Sequence, residues 1–111
     1  MESNDAVKRL SALAQDSRLA VFRLLVKVGP EGLAAGEIAR SLGITANTLS
    51  AQLTILANAD LVTSRRDGRS IIYAANYDGM SEMLLYLMED CCQGRAEVCA
   101  PLAPIAAACC A

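Results

Sequence analysis

Five cysteines, Cys91, Cys92, Cys99, Cys109 and Cys110, all lie beyond residue 90 of a 111-residue chain that has no histidine. A thiolate is a soft donor suited to thiophilic ions. Cys91 and Cys92 close a helical pattern, and Cys99 follows after Gly94. In an unbroken helix Cys92 and Cys99 would stand ~10.5 Å apart along the axis, too far for one ion. A break at Gly94 lets the chain fold back and brings Cys99 to the pair. Three thiolates without imidazole suit a trivalent, three-coordinate ion such as arsenic(III) or antimony(III), whose charge they balance. Zinc normally takes a fourth ligand, which Cys109, Cys110 or a carboxylate can supply.

A second constellation can read nucleic acid. Thr45, Ala46, Asn47, Thr48, Ser50, Ala51 and Gln52 open a predicted helix. Asn and Gln can bond adenine bidentately, Thr and Ser serve bases or phosphates, and Ala can touch a thymine methyl. Arg65, Arg66 and Arg69 follow at the tip of a predicted hairpin, where they can contact phosphate or the minor groove. Each group taken alone also fits an ordinary solvated surface. A basic hairpin directly behind such a helix is much rarer by chance.

The elements that must position these residues are legible from periodicity. Ser3 and Asn4 are candidate caps for a helix with Val7, Leu10 and Leu13 on one face. A second helix follows Asp16, packing through Leu19, Phe22, Leu25 and Val26, and Gly29-Pro30 stops it. Glu31–Ala34 is a connector. A short helix spans Ala35–Leu42, Gly43 breaks it, and after the cap Thr45 a longer helix carries Leu49, Leu53 and Leu56 inward to about Ala59. Two helices joined by a tight glycine turn fit a helix-turn-helix. Val62–Arg66 and Arg69–Ala74 are then two strands around Asp67-Gly68, read as a type I′ hairpin turn. The helical period returns with Met80, Met83, Leu84, Leu87 and Met88 through Cys91. The tail from Gln93 is rich in Ala, Cys and Pro, and Pro101 and Pro104 exclude a continuous helix.

Composition agrees with one small, mainly helical domain: 54% of residues are hydrophobic and 4% aromatic. So high an apolar share in so short a chain implies that a second subunit covers part of the surface. The net charge of −2 argues against indiscriminate coating of nucleic acid. Residues 35–75 nevertheless carry Arg40, Arg65, Arg66 and Arg69 against Glu37, Asp60 and Asp67, whereas residues 76–111 are strongly acidic. Any DNA contact is therefore expected from the middle of the chain. Met1–Asp5 is polar with no apolar segment behind it, and no apolar run reaches a membrane-spanning length. A cytoplasmic protein is expected, its cysteines free thiols or metal ligands rather than disulfides.

Leu42-Gly43-Ile44-Thr45-Ala46-Asn47-Thr48-Leu49-Ser50-Ala51-Gln52-Leu53-Thr54-Ile55-Leu56, Ala59-Asp60-Leu61-Val62 and Arg65-Arg66-Asp67-Gly68-Arg69 resemble the ArsR/SmtB family of metal-sensing repressors. Asp16-Ser17-Arg18-Leu19 is similar to the family's opening of the second helix. The likeness runs from about Leu13 to Cys92. It implies a winged helix-turn-helix of order α-α-α-α-β-β-α over residues 1–92, with residues 93–111 as a cysteine-bearing tail. It also implies a homodimer joined through the first and last helices on a palindromic double-stranded operator. Two positions depart from the family: Gln52 stands where many relatives have His, and Asp60 where many have Gly. The short helix Ala35–Leu42 lacks the cysteine pair of one common sensor type, and zinc-type sensing through His and carboxylates of the last helix is not expected in a chain without His. An arsenic-responsive subset is similar in its adjacent cysteine pair and third tail cysteine, which implies Cys91, Cys92 and Cys99 as inducer ligands.

The expected function is a repressor released from its operator when arsenic(III) or antimony(III) binds those cysteines, shifting a methionine-lined dimer seam. A repressor answering to thiol redox or methylarsenicals through two thiols is one alternative, and a thiol metal buffer that reads no DNA is another. Cysteine also packs as a small apolar residue, yet five after residue 90 and none before favour ligation. Cys109 and Cys110 read as spare thiols or a second, weak site. An enzyme is not expected: there is no His, no nucleophile with a base at useful spacing and no phosphate loop.

Overall fold

The computed structural model describes residues 1–88. Cys91, Cys92, Cys99, Cys109, Cys110, the break at Gly94 and the boundary at residue 92 lie outside them. The order is α1 (Ser3–Leu13), α2 (Asp16–Val28), β1 (Leu33–Ala34), α3 (Ala35–Leu42), α4 (Ala46–Asn58), β2 (Val62–Asp67), β3 (Ser70–Ala75) and α5 (Tyr77–Met88). This is the expected winged helix-turn-helix with one added strand. Residues 33–34, expected as connector, pair antiparallel with β3, Leu33 opposite Tyr73. The sheet therefore has three strands in the order β1-β3-β2.

The core is aliphatic, as composition requires. Val21, Leu25, Ile38, Leu49, Leu56 and Leu61 are fully buried, each contributing roughly 1.5–3 kcal/mol by leaving water. They come from α2, α3, α4 and the segment entering β2, so the helix-turn-helix and the sheet share one interior. The periodicity of α2 predicts Leu19 on the packed face, but Leu19 is exposed and Val21 is buried in its stead. Along α1 the buried positions are Ala6, Arg9 and Ala12. Val7 (58% exposed) and Leu10 (41%) point away from this core.

Local chemistry sets the boundaries. Glu2 rather than Ser3 or Asn4 caps α1, its N–H donating to Asp5 Oδ2 at 3.4 Å. Gln15 caps α2, which begins at Asp16, by accepting the Arg18 N–H at 3.0 Å. Gly43 ends α3 in the left-handed region, φ 65°, where glycine has no Cβ penalty. Thr45 caps α4 as expected, its Oγ1 accepting the Thr48 N–H at 3.2 Å. The hairpin turn lies one residue later than predicted. Asp67 pairs with Ser70, leaving Gly68-Arg69 as the loop, and only Gly68 has positive φ. Positive φ at the first loop position alone is the II′ pattern rather than I′.

Asn76 opens α5: its Oδ1 accepts the Gly79 N–H at 3.1 Å while its Nδ2 donates to the Asp60 carbonyl at 3.0 Å. Tyr77 ties the same end to α2, its hydroxyl donating to the Val26 carbonyl at 3.1 Å. No helix among the described residues is long and apolar enough to cross a membrane.

Candidate nucleic-acid interface

α4 is held by its apolar side and offers its polar side. Leu49, Leu53 and Leu56 are buried against α2 and α3, so Thr45, Ala46, Asn47, Thr48, Ser50 and Ala51 are left exposed. These are the residue types expected to read a groove, and the fold gathers them on one surface. A protruding helix with a buried aliphatic spine can enter the major groove without unfolding its own support.

Gln52 differs from its neighbours. It is half-buried, and its Oε1 accepts from Arg18 Nη1 at 3.2 Å. The same guanidinium donates from Nε to the Ala12 carbonyl at 2.6 Å and from Nη2 to the Ser11 carbonyl at 3.5 Å. Arg18 thus joins the last turn of α1 to the middle of α4. Its importance escapes sequence reading because the bond spans thirty-four positions. The one available signal is its place in Asp16-Ser17-Arg18-Leu19.

The three hairpin arginines do not act alike. Side chains alternate along a strand, so Arg66 shares the face of Val62 and Arg65 lies on the other. Arg66 stands opposite Ile71, and Arg65 opposite Ile72. Arg65 reaches back, its Nη2 donating to the Glu31 carbonyl at 2.7 Å. Arg69 sits in the turn itself. All three are exposed, so the wing is basic at its tip and pinned by Arg65 at its flank. Arg40, the remaining basic group of this region, pairs with Glu37 within α3.

Away from this surface, α1 and α5 present apolar residues to solvent: Val7, Leu10, Leu84, Leu85 (70% exposed) and Leu87. A buried arginine underlies them. Arg9 Nη1 donates to the Gly79 carbonyl at 2.7 Å, and its Nη2 lies 3.8 Å from the Asp60 carboxylate. Among the described residues no group of three or more potential metal ligands comes together. The cysteines expected to ligate lie outside those residues.

Residues 13–65 match the family model described as a helix-turn-helix domain. Over 75 residues the chain is 36% identical to the nodulation protein NolR of Rhizobium meliloti, a match covering 68% of this chain and 59% of that protein. The chain therefore spans about three fifths of that relative's length. The crystal structure of NolR from Sinorhizobium fredii superposes with a TM-score of 0.63 at 34% identity, covering 78% of this chain and 84% of that one. A homodimeric winged helix-turn-helix DNA-binding domain from Mycobacterium bovis, a possible ArsR-family transcriptional regulator, superposes at 0.64 with 29% identity, covering 77% of each chain.

Proposed function

We propose that this chain is a DNA-binding helix-turn-helix transcriptional regulator of the ArsR/SmtB family, a cytoplasmic homodimeric repressor induced by trivalent arsenic or antimony. One observation carries the DNA half of the reading. The exposed polar start of α4 stands on a buried leucine spine, beside a wing whose tip carries Arg66 and Arg69. Two such surfaces related by a twofold axis meet two half-sites of a palindrome, each recognition helix in a major groove. The exposed apolar residues of α1 and α5 supply the seam. A contiguous patch of that kind on a small domain calls for a partner, and a second copy buries it symmetrically.

The inducer half rests on the donor set. Cys91, Cys92 and Cys99 provide three soft thiolates in the tail that continues from α5. An ion that ties this tail back on the helix draws its binding energy from one dimer geometry more than another. That differential affinity shifts the population away from the geometry matching the operator. Residues 1–92 form the reading and dimerising unit in this scheme, and residues 93–111 the sensing tail.

The test is a gel shift on an operator selected from random DNA. Arsenite or antimonite releases the full-length protein at concentrations where zinc does not. Retention of the complex under both oxyanions, with release by zinc or by a thiol oxidant, overturns the inducer assignment and leaves the DNA reading standing.

A further inference from the structure

Gln52 is expected to read adenine through both ends of its amide, because adenine presents one donor and one acceptor in the major groove. Its surroundings argue otherwise. Arg18 has five donors and no acceptor. The amide atom facing Arg18 Nη1 at 3.2 Å must therefore be the oxygen, whichever way the amide is otherwise turned. Arg18 is in turn anchored by the Ala12 carbonyl at 2.6 Å and, more weakly, by the Ser11 carbonyl. Both belong to the last turn of α1, where carbonyls run short of partners within the helix; the Ser11 carbonyl also accepts the Ala14 N–H at 3.2 Å.

From this geometry we infer that Arg18 is a specificity-positioning residue, which holds the Gln52 oxygen toward its own guanidinium and leaves the amide nitrogen to meet DNA as a hydrogen-bond donor. A donor-only amide selects an acceptor edge: guanine through N7 and O6, or thymine through O4. With its oxygen turned toward Arg18, the amide does not present to DNA the acceptor that the adenine N6 amine needs, and its N–H groups oppose the cytosine N4 amine. The inference rests on α4 entering the major groove. It also ties base choice to α1, because any shift of that helix that withdraws Arg18 frees the Gln52 oxygen.

Operator selection from random DNA with the full chain tests it, using wild type, Gln52→Ala, Arg18→Met and Gln52→Glu. The operator position at which Gln52→Ala loses its preference carries guanine or thymine in the wild-type selection, favoured over adenine by about fivefold. Arg18→Met, which keeps an apolar stem but no donor, moves that position toward adenine. Gln52→Glu keeps an oxygen for Arg18 and has no donor, so it turns the same position toward cytosine. Gln52→Glu thereby confirms which base residue 52 faces, and where Arg18→Met fails to fold the wild-type choice between adenine and guanine or thymine at that base decides. Adenine at that position in the wild type overturns the inference, as does a Gln52→Ala selection identical to wild type. A folded Arg18→Met with unchanged preference overturns it too. No enriched sequence from wild type would instead overturn the groove reading on which it rests.

Discussion

Arg9, buried in the middle of α1, donates at 2.7 Å to the carbonyl of Gly79 in the first turn of α5. The pair lies at a three-way junction, since the backbone of Asp60, two residues beyond α4, packs directly against Gly79. A Cβ on Gly79 would overlap the Asp60 carbonyl oxygen. Asp60 is the single non-glycine residue with positive φ, 60°, among the described residues. The left-handed region penalises a Cβ, so glycine would sit here with less strain. The turn after α4 is thereby locked to both α1 and α5.

This junction predicts three stability changes. Gly79→Ala destabilises by about 2 kcal/mol, because backbone must move to admit the methyl group. Arg9→Met destabilises by a similar amount, about 2 kcal/mol, by leaving the Gly79 carbonyl without its charged donor. Asp60→Gly stabilises by about 1 kcal/mol. Its carboxylate is 73% exposed and its ion pair with Arg9 is long, so little is lost with it. Chemical denaturation of the three variants checks the set. A Gly79→Ala variant as stable as wild type would show the contact to be yielding.

The wing predicts a split among its arginines. Arg66→Ala and Arg69→Ala each lower the salt slope of operator binding by roughly 0.9, the value for one lost phosphate contact, with stability unchanged. Arg65→Ala changes the slope less, because its guanidinium already serves the Glu31 carbonyl. It loosens the flank of the hairpin instead, costing about 1 kcal/mol. Equal slopes for all three variants would mean that Arg65 leaves Glu31 when DNA arrives.

The exposed apolar seam predicts that Leu85→Glu separates the dimer. Burying an unpaired carboxylate from each subunit costs about 3 kcal/mol or more, enough to weaken association over a hundredfold. Operator affinity falls with it, since half-sites are then bound singly. Ile71→Glu is the control: Ile71 is also exposed, though less than Leu85, but lies on the hairpin, so it leaves the dimer intact. Sedimentation at micromolar concentration distinguishes them, and a dimeric Leu85→Glu protein would remove α5 from the interface.

The parts legible in the sequence are those with a period or a punctuation mark. Leu49, Leu53 and Leu56 repeat at helical spacing and are buried; Gly43 and Thr45 mark the turn and the cap, and both act as read. A two-residue strand has no period, so Leu33–Ala34 was indistinguishable from a connector. The hairpin slipped by one because Gly68 can occupy either loop position, and only pairing of Asp67 with Ser70 chooses. Periodicity also groups Val7 with Leu10 without saying what covers them. The bonds of Arg9 and Arg18 join distant segments, and no local pattern announces them. For the proposed thiol site, legibility runs the other way: its argument is residue type and spacing alone.

That site makes the most exposed prediction. Cys91→Ser, Cys92→Ser and Cys99→Ser leave operator affinity near that of wild type, because the proposed DNA surface is built from α4 and the hairpin. Each impairs release by arsenite, since serine offers no soft thiolate and two thiolates hold a trivalent ion less well than three. Cys109→Ser and Cys110→Ser respond nearly as wild type. A monomethylated arsenic(III) species requires two thiolates, so one of the three triad variants still answers to it. The comparison that decides is Cys99→Ser against Cys109→Ser, titrated with arsenite on the same operator. Normal release of the first with failure of the second would transfer the sensor to the terminal pair. It would also detach the switch from the end of α5, so that the coupling to the dimer seam would need a different route.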